Sequence, residues 1–226
     1  MVSPTTMSPD KIRVMIVEDH FMVRVGLAAI VNSQPDMVTI AEAANGHEAI
    51  ELYAKQRPDV TLMDLLIPGL DGVEAITEIL KGHPEARIIV ISAHGGDEDI
   101  FRAMQAGARA YYLKHVEGQE LVAGIRAVHA GECPLSPEVA MRLVERMRRA
   151  QLSPRELEVF KLMAQGMSNN DIAAKLGISE RTVRVHITHL LVKLGCSDKS
   201  QAVFEAFQRG ILHVGDAPGK AGMPSS

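Results

Sequence analysis

Five short apolar runs punctuate the first half of the chain: Ile12 to Val17, Met37 to Ala43, Val60 to Met63, Arg87 to Ser92 and Ala110 to Leu113. They are rich in β-branched residues and show little polar alternation, the look of strands buried on both faces. Between them, apolar positions return at helical spacing near residues 21–32, 46–56, 71–82, 97–106 and 116–130. Five strand–helix units in succession predict a parallel sheet covered by helices on both sides.

From residue 131 the strand pattern stops. Gly131 to Pro134 breaks the chain, and Ser136-Pro137 offers an N-cap and an N1 proline for a helix reaching about Ala150. Ser153-Pro154-Arg155-Glu156 is a complete capping box, and Ser168 caps the next helix. Leu176-Gly177-Ile178-Ser179 predicts a tight turn in which Gly177 takes a positive φ and Ser179 caps the succeeding helix. That long helix runs from Glu180 to Leu194, and a last one from about Ser200 to Gln208.

The expected fold is therefore α/β, a doubly wound five-stranded parallel sheet followed by a separate all-α four-helix unit. Right-handed crossovers leave few topologies, and a flavodoxin-like strand order 2-1-3-4-5 is the best match. We place the first domain at residues 11–131, a helical linker at 132–150 and the second domain at 151–213. Residues 1–10 and the Gly/Pro/Ser-rich 214–226 are expected to be disordered tails. The linker arginines Arg142, Arg146, Arg148 and Arg149 are expected on a solvated face.

No apolar run is long enough to cross a bilayer, and Met1 to Asp10 lacks the charged and apolar regions of a signal peptide, so a cytoplasmic protein without membrane association is expected. Cys133 and Cys196 stand far apart in no metal-ligand pattern, which speaks against a disulfide framework or a zinc site. The net charge of −4 hides an asymmetry: residues 11–149 are acidic and residues 150–213 mildly basic. That split fits a metal-binding half and a nucleic-acid-binding half.

In open parallel sheets, ligands bind at the carboxyl ends of the strands. The polar residues at those ends are Glu18, Asp19, Asp64, Ser92 and Lys114. Carboxylates gathered there repel one another unless a cation intervenes, and all-oxygen ligands suit Mg²⁺ (or Mn²⁺). With Lys114 as a point charge and Ser92 as a hydroxyl donor, the set is suited to in-line phosphoryl transfer onto a carboxylate.

Over residues 11–131 the chain resembles the receiver domains of two-component signalling, through Val17-Glu18-Asp19, the stretch from Met63-Asp64 to Asp71-Gly72, Ile91-Ser92-Ala93 and Tyr111-Tyr112-Leu113-Lys114. The resemblance implies a CheY-like receiver in which Asp64 accepts phosphate from a partner sensor histidine kinase. It implies that Glu18, Asp19, Asp64 and the Leu66 backbone carbonyl hold Mg²⁺, and that Lys114 and Ser92 meet the phosphoryl group. Tyr111 matches an aromatic that moves inward as the switch turns on. Leu66 and His94 lie at positions that tune dephosphorylation in that family, and His115 stands where an acid is frequent. Phosphorylation adds charge and acceptor oxygens, which would bias a two-state surface.

In the 180–194 helix, Val183, Ile187, Leu190, Leu191 and Leu194 share one face, leaving Arg181, Arg184, Val185 and Thr188 opposite, flanked by Thr182, His186, His189 and Lys193. A dry back and a basic, short-polar front are what the DNA major groove admits. Residues 152–208 also resemble the LuxR-type helix-turn-helix domain, through Leu152-Ser153-Pro154-Arg155-Glu156, Ser168-Asn169-Asn170-Asp171-Ile172-Ala173 and Gly177 to Val183. With the receiver in front, the whole resembles the NarL/FixJ family. We expect Arg184, Val185 and Thr188 near base edges, with Ser179, Arg181, Thr182, His186, His189 and Lys193 on phosphates. Many relatives carry a basic residue at the position of Thr188. His186 and His189 have no cysteine or carboxylate at metal-ligand spacing, so DNA outranks a metal. Ser200, Gln201, Val203 and Phe204 resemble the family's dimerisation helix, implying a homodimer on double-stranded promoter DNA.

The implied function is a phosphorylation-switched transcription regulator, not an enzyme beyond assisting its own phosphorylation and dephosphorylation. The 19-residue spacer, 132–150, is long enough either for a clamp on the recognition helix or for phosphorylation-driven dimerisation. Two other classes fit less well. A doubly wound aspartyl-phosphate phosphohydrolase would show a second Asp two residues after the first, and here Leu65-Leu66 follows Asp64. A phosphorylation-independent module would not need all five site residues.

Overall fold

The computed structural model describes residues 11–93 and 95–213. The expectations for the tails and for His94 lie outside the described residues. The described residues divide into two compact units, 11–93 with 100–140, and 95–99 with 141–213.

The first unit holds a five-stranded parallel sheet in the order β2-β1-β3-β4-β5. The strands are β1 (Ile12–Val17), β2 (Met37–Ala43), β3 (Val60–Met63), β4 (Ile88–Ser92) and β5 (Ala110–Leu113). Between and after them run α1 (Phe21–Asn32), α2 (Gly46–Gln56), α3 (Gly72–Gly82), α4 (Asp97–Ala106) and α5 (Gly118–His129). This is the expected doubly wound topology. Val14, Ile16, Leu62, Ile89 and Ile91 pack on one side with Leu121, Ile125 and Val128 of α5. Their strand neighbours Met15, Val17, Met63 and Val90 are equally buried, so both faces of the central strands are dry. Each such side chain contributes about 2 kcal/mol through burial.

One strand departs from the expectation of burial on both faces. In β2 only Met37 and Ala43 are buried, and the five residues between are partly or fully exposed. It lies at the sheet's edge, and its pairing with β1 slips between Val14 and Met15.

The helices of the second part are α6 (Pro137–Arg148), α7 (Pro154–Ala164), α8 (Asn169–Leu176), α9 (Glu180–Leu194) and α10 (Lys199–Gln208). Both expected caps at Ser153 and Ser168 form, each as a reciprocal capping box, with Glu156 and Asp171 respectively. Gly177 ends α8 with φ 65°, and Ser179 caps α9 by accepting from Thr182 N at 3.1 Å. Val159, Phe160, Ile172, Val183, Leu190, Ala202 and Ala206 form the core.

The linker arginines correct one expectation. Arg148 is exposed, but Arg146 is buried and pairs with Glu98, while Arg149 reaches Asp97 at 2.6 Å, both within the second unit. A buried guanidinium needs such a partner, and the acids stand some fifty residues earlier in the chain.

Candidate phosphoacceptor and nucleic-acid sites

Glu18 follows β1, Asp64 follows β3, Ser92 ends β4 and Lys114 follows β5, so four strands deliver these residues to one edge of the sheet. Glu18, Asp64 and Ser92 are buried; Asp19 is exposed. Lys114 Nζ lies 2.8 Å from Asp64 Oδ2 and 2.7 Å from Glu18 Oε2, joining the two buried carboxylates through one cation. Burial alone would lower the ammonium's pKa; the hydrogen bonds and charges of Asp64 and Glu18 outweigh it and raise it.

The backbone fixes this edge. Asp64 N donates to Val17 O at 2.9 Å and Lys114 N to Ser92 O at 2.8 Å, tying neighbouring strand ends together. Leu66 N donates to Asp64 Oδ1 at 3.3 Å, so the loop after the strand orients the carboxylate. Gly72 starts α3 hard against that loop: a Cβ there would clash with the Asp64 carbonyl oxygen and lie 2.7 Å from Leu65 Cα. Tyr111 is buried, at 1% exposure.

His20 was not singled out from sequence. Its backbone N–H donates to Glu18 Oε1 at 3.1 Å, and its Nδ1 lies 3.4 Å from Asp19 Oδ1. Ligand atoms of Glu18, Asp19 and His20 all fall within 4.8 Å of one another. Its adjacency to Asp19 was the available signal. Phe21, Met22 and Val25 of α1 are exposed beside these residues, another feature the helical period alone did not flag.

In α9, Val183, Ile187 and Leu190 are buried, and Leu191 and Leu194 pack on the same core, as the periodicity predicts. Arg181, Arg184, Val185, Thr188 and His189 are exposed, while Thr182 and His186 are half-buried. Lys193 differs from the other expected phosphate-holding residues: its Nζ lies 2.6 Å from Oε2 of Glu156, a buried carboxylate on α7. Burial would raise the Glu156 carboxyl, but hydrogen bonds from Lys193 and from the Ser153 backbone and hydroxyl prevail and hold its pKa at about 2. In α10, Ser200, Gln201 and Phe204 are exposed and Val203 packs partly on the core; the Gln201 side chain accepts from Ser197 N at 2.8 Å.

Residues 14–126 match the response regulator receiver domain family, and residues 150–206 match the bacterial regulatory proteins of the luxR family. The response regulator protein VraR of Staphylococcus aureus is 36% identical over 206 residues, covering 89% of this chain and 99% of that protein.

The chain belongs to the DNA-binding two-component response regulators.

Among solved structures, the response regulator ChrA of a heme-sensing two-component system is 35% identical, with TM-score 0.55, over 89% of this chain and 99% of that one. A LuxR-family response regulator from Aurantimonas sp. is 36% identical, with TM-score 0.58, over 61% of this chain and 99% of that one. A structure of two RcsB dimers bound to DNA shares the fold at 24% identity, with TM-score 0.65, over 88% of this chain and 99% of that one. As a response regulator, the protein acts between a histidine kinase and DNA. No helix among the described residues is long and apolar enough to cross a membrane.

Proposed function

We propose that Asp64 is the phosphoacceptor and that its phosphorylation by a sensor histidine kinase controls DNA binding through α9. The observation that carries the reading is Lys114 held between Asp64 and Glu18 at the carboxyl edge of the sheet. An all-oxygen donor set that includes the buried carboxylates of Glu18 and Asp64 fits Mg²⁺ or Mn²⁺. Glu18, Asp19, Asp64 and the Leu66 backbone carbonyl would hold the ion. A divalent cation there supplies charge neutralisation to phosphoryl oxygens.

An Asp64 carboxylate oxygen attacks phosphorus in line as the bond to the donor's histidine nitrogen breaks. Lys114 transfers its contact from the carboxylates to a phosphoryl oxygen, and the Ser92 hydroxyl donates to another. The chemistry is limited to this chain's own phosphorylation and hydrolysis. On α9, Arg184, Val185 and Thr188 face bases, and Ser179, Arg181, Thr182, His186 and His189 hold phosphates and set register. Lys193 positions α9 by pairing with Glu156. Exposed Phe204, with Ser200, Gln201 and Val203, supplies the homodimer contact on DNA.

The test is intact mass after incubation with acetyl phosphate and Mg²⁺, for wild type and Asp64→Ala, with DNA affinity measured on the same samples. One phosphoryl adduct in wild type alone, with a change in affinity, supports the reading. No adduct, together with no response to the phosphoryl mimic beryllofluoride, overturns it.

A further inference from the structure

Val192 is 75% exposed and Val185 45% exposed, both on the solvent face of α9. With Thr188 they occupy positions i, i+3 and i+7, which share one stripe of a helix. The Thr188 hydroxyl donates to the Arg184 carbonyl at 3.0 Å, back-bonded within its own helix. With that proton committed, Thr188 has no hydroxyl donor left for a ligand and offers its methyl beside an acceptor oxygen. Arg184 is held by Glu180 at 2.6 Å, an exposed pair that gives way easily. The front of α9 thus carries an apolar stripe with Arg181 in line at its N-terminal end and Arg184 to one side. The stripe is about 10 Å long, the span of three base-pair steps.

We propose that Val185, Thr188 and Val192 read thymine C5-methyl groups in the major groove, making 5-methyl-pyrimidine content a determinant of this regulator's DNA site. The thymine methyl is the one apolar group that a base pair displays in the major groove, and apolar side chains are its complement. Arg181, in line with the stripe at its N-terminal end, is placed to meet a phosphate, which favours DNA over a protein as the occupant of this stripe. The proposal rests on α9 as the base-reading helix and adds the feature it reads.

The experiment selects a preferred duplex from a random library with the full-length, beryllofluoride-treated protein. Each thymine is then replaced singly by deoxyuridine, which removes only the methyl. Wild type loses about fourfold in affinity per methyl contacted. Thr188→Ser and Val185→Ala bind the thymine duplex more weakly and become indifferent to the replacement at one position each. Equal affinity of wild type for every thymine and deoxyuridine duplex overturns the proposal. An Arg181→Ala, Arg184→Ala double variant tests the underlying reading separately: if it binds the selected duplex as wild type does, α9 is not the reading helix and both fall.

Discussion

Asp64 and Glu18 are 4% and 1% exposed and share one lysine, whereas Arg181, Arg184, Val185 and Thr188 of α9 stand in solvent with at most helix-local partners. In the receiver, charges are buried, so each depends on an opposite partner from another strand and tolerates little change. On α9 the charges are screened, and selectivity is left to shape and to small apolar groups. The first arrangement suits a reaction performed on any donor; the second suits a surface that changes from one regulator to the next.

Several substitutions put this contrast to the test. The largest effect is expected from Lys114→Met, which leaves two buried carboxylates without their cation. Phosphorylation by acetyl phosphate should fall by more than about a hundredfold, read by intact mass against time. Next is Glu156→Gln, where the DNA-binding unit pairs a buried carboxylate with a lysine as the receiver does. Removing that charge should cost about 3 kcal/mol in urea unfolding monitored on the second unit. The Glu156 carboxyl is held at about 2, below its ordinary 4.5. The stability it contributes is therefore complete above pH 4.5 and lost as pH falls toward 2, and the glutamine variant should lack that component.

A smaller effect is expected at the exposed apolar side chains of α1. Met22→Asp should slow phosphoryl transfer from a histidine kinase about tenfold while leaving acetyl phosphate labelling unchanged, because a protein donor must dock beside Asp64 and a small molecule need not. Equal slowing of both would place Met22 in the fold rather than at an interface. The smallest effect is expected from Phe204→Ala, a loss of about threefold in affinity for a two-half-site duplex with single half-site binding unchanged, read by mobility shift.

Much of this was legible because it is local. The β-strands announce themselves by apolar runs, and Ser153, Ser168, Gly177 and Ser179 punctuate the helices as their side chains and φ preferences require. The acidic site was legible because parallel topology carries strand ends to one edge whatever lies between. The features that escaped notice depend on distant pairs. Nothing near Lys193 marks Glu156, 37 residues earlier, as its partner, and Arg146 looks solvated until Glu98 is placed beside it. β2 combines an edge position with a slipped pairing to β1, which a residue pattern read strand by strand does not weigh, while β5 at the other edge stays buried. Val192 was within reach, since it lies seven residues beyond Val185 on a face already assigned to DNA.

The tight seat of Gly72 has a genetic consequence. Any single-nucleotide change in a glycine codon that alters the amino acid installs a side chain, and at position 72 its first carbon would collide with the backbone of Asp64. A saturation library selected for signalling should therefore be almost as empty at residue 72 as at residue 64, although residue 72 carries no reactive group. Such a position would pass for catalytic in a screen and is instead a clearance between two pieces of backbone.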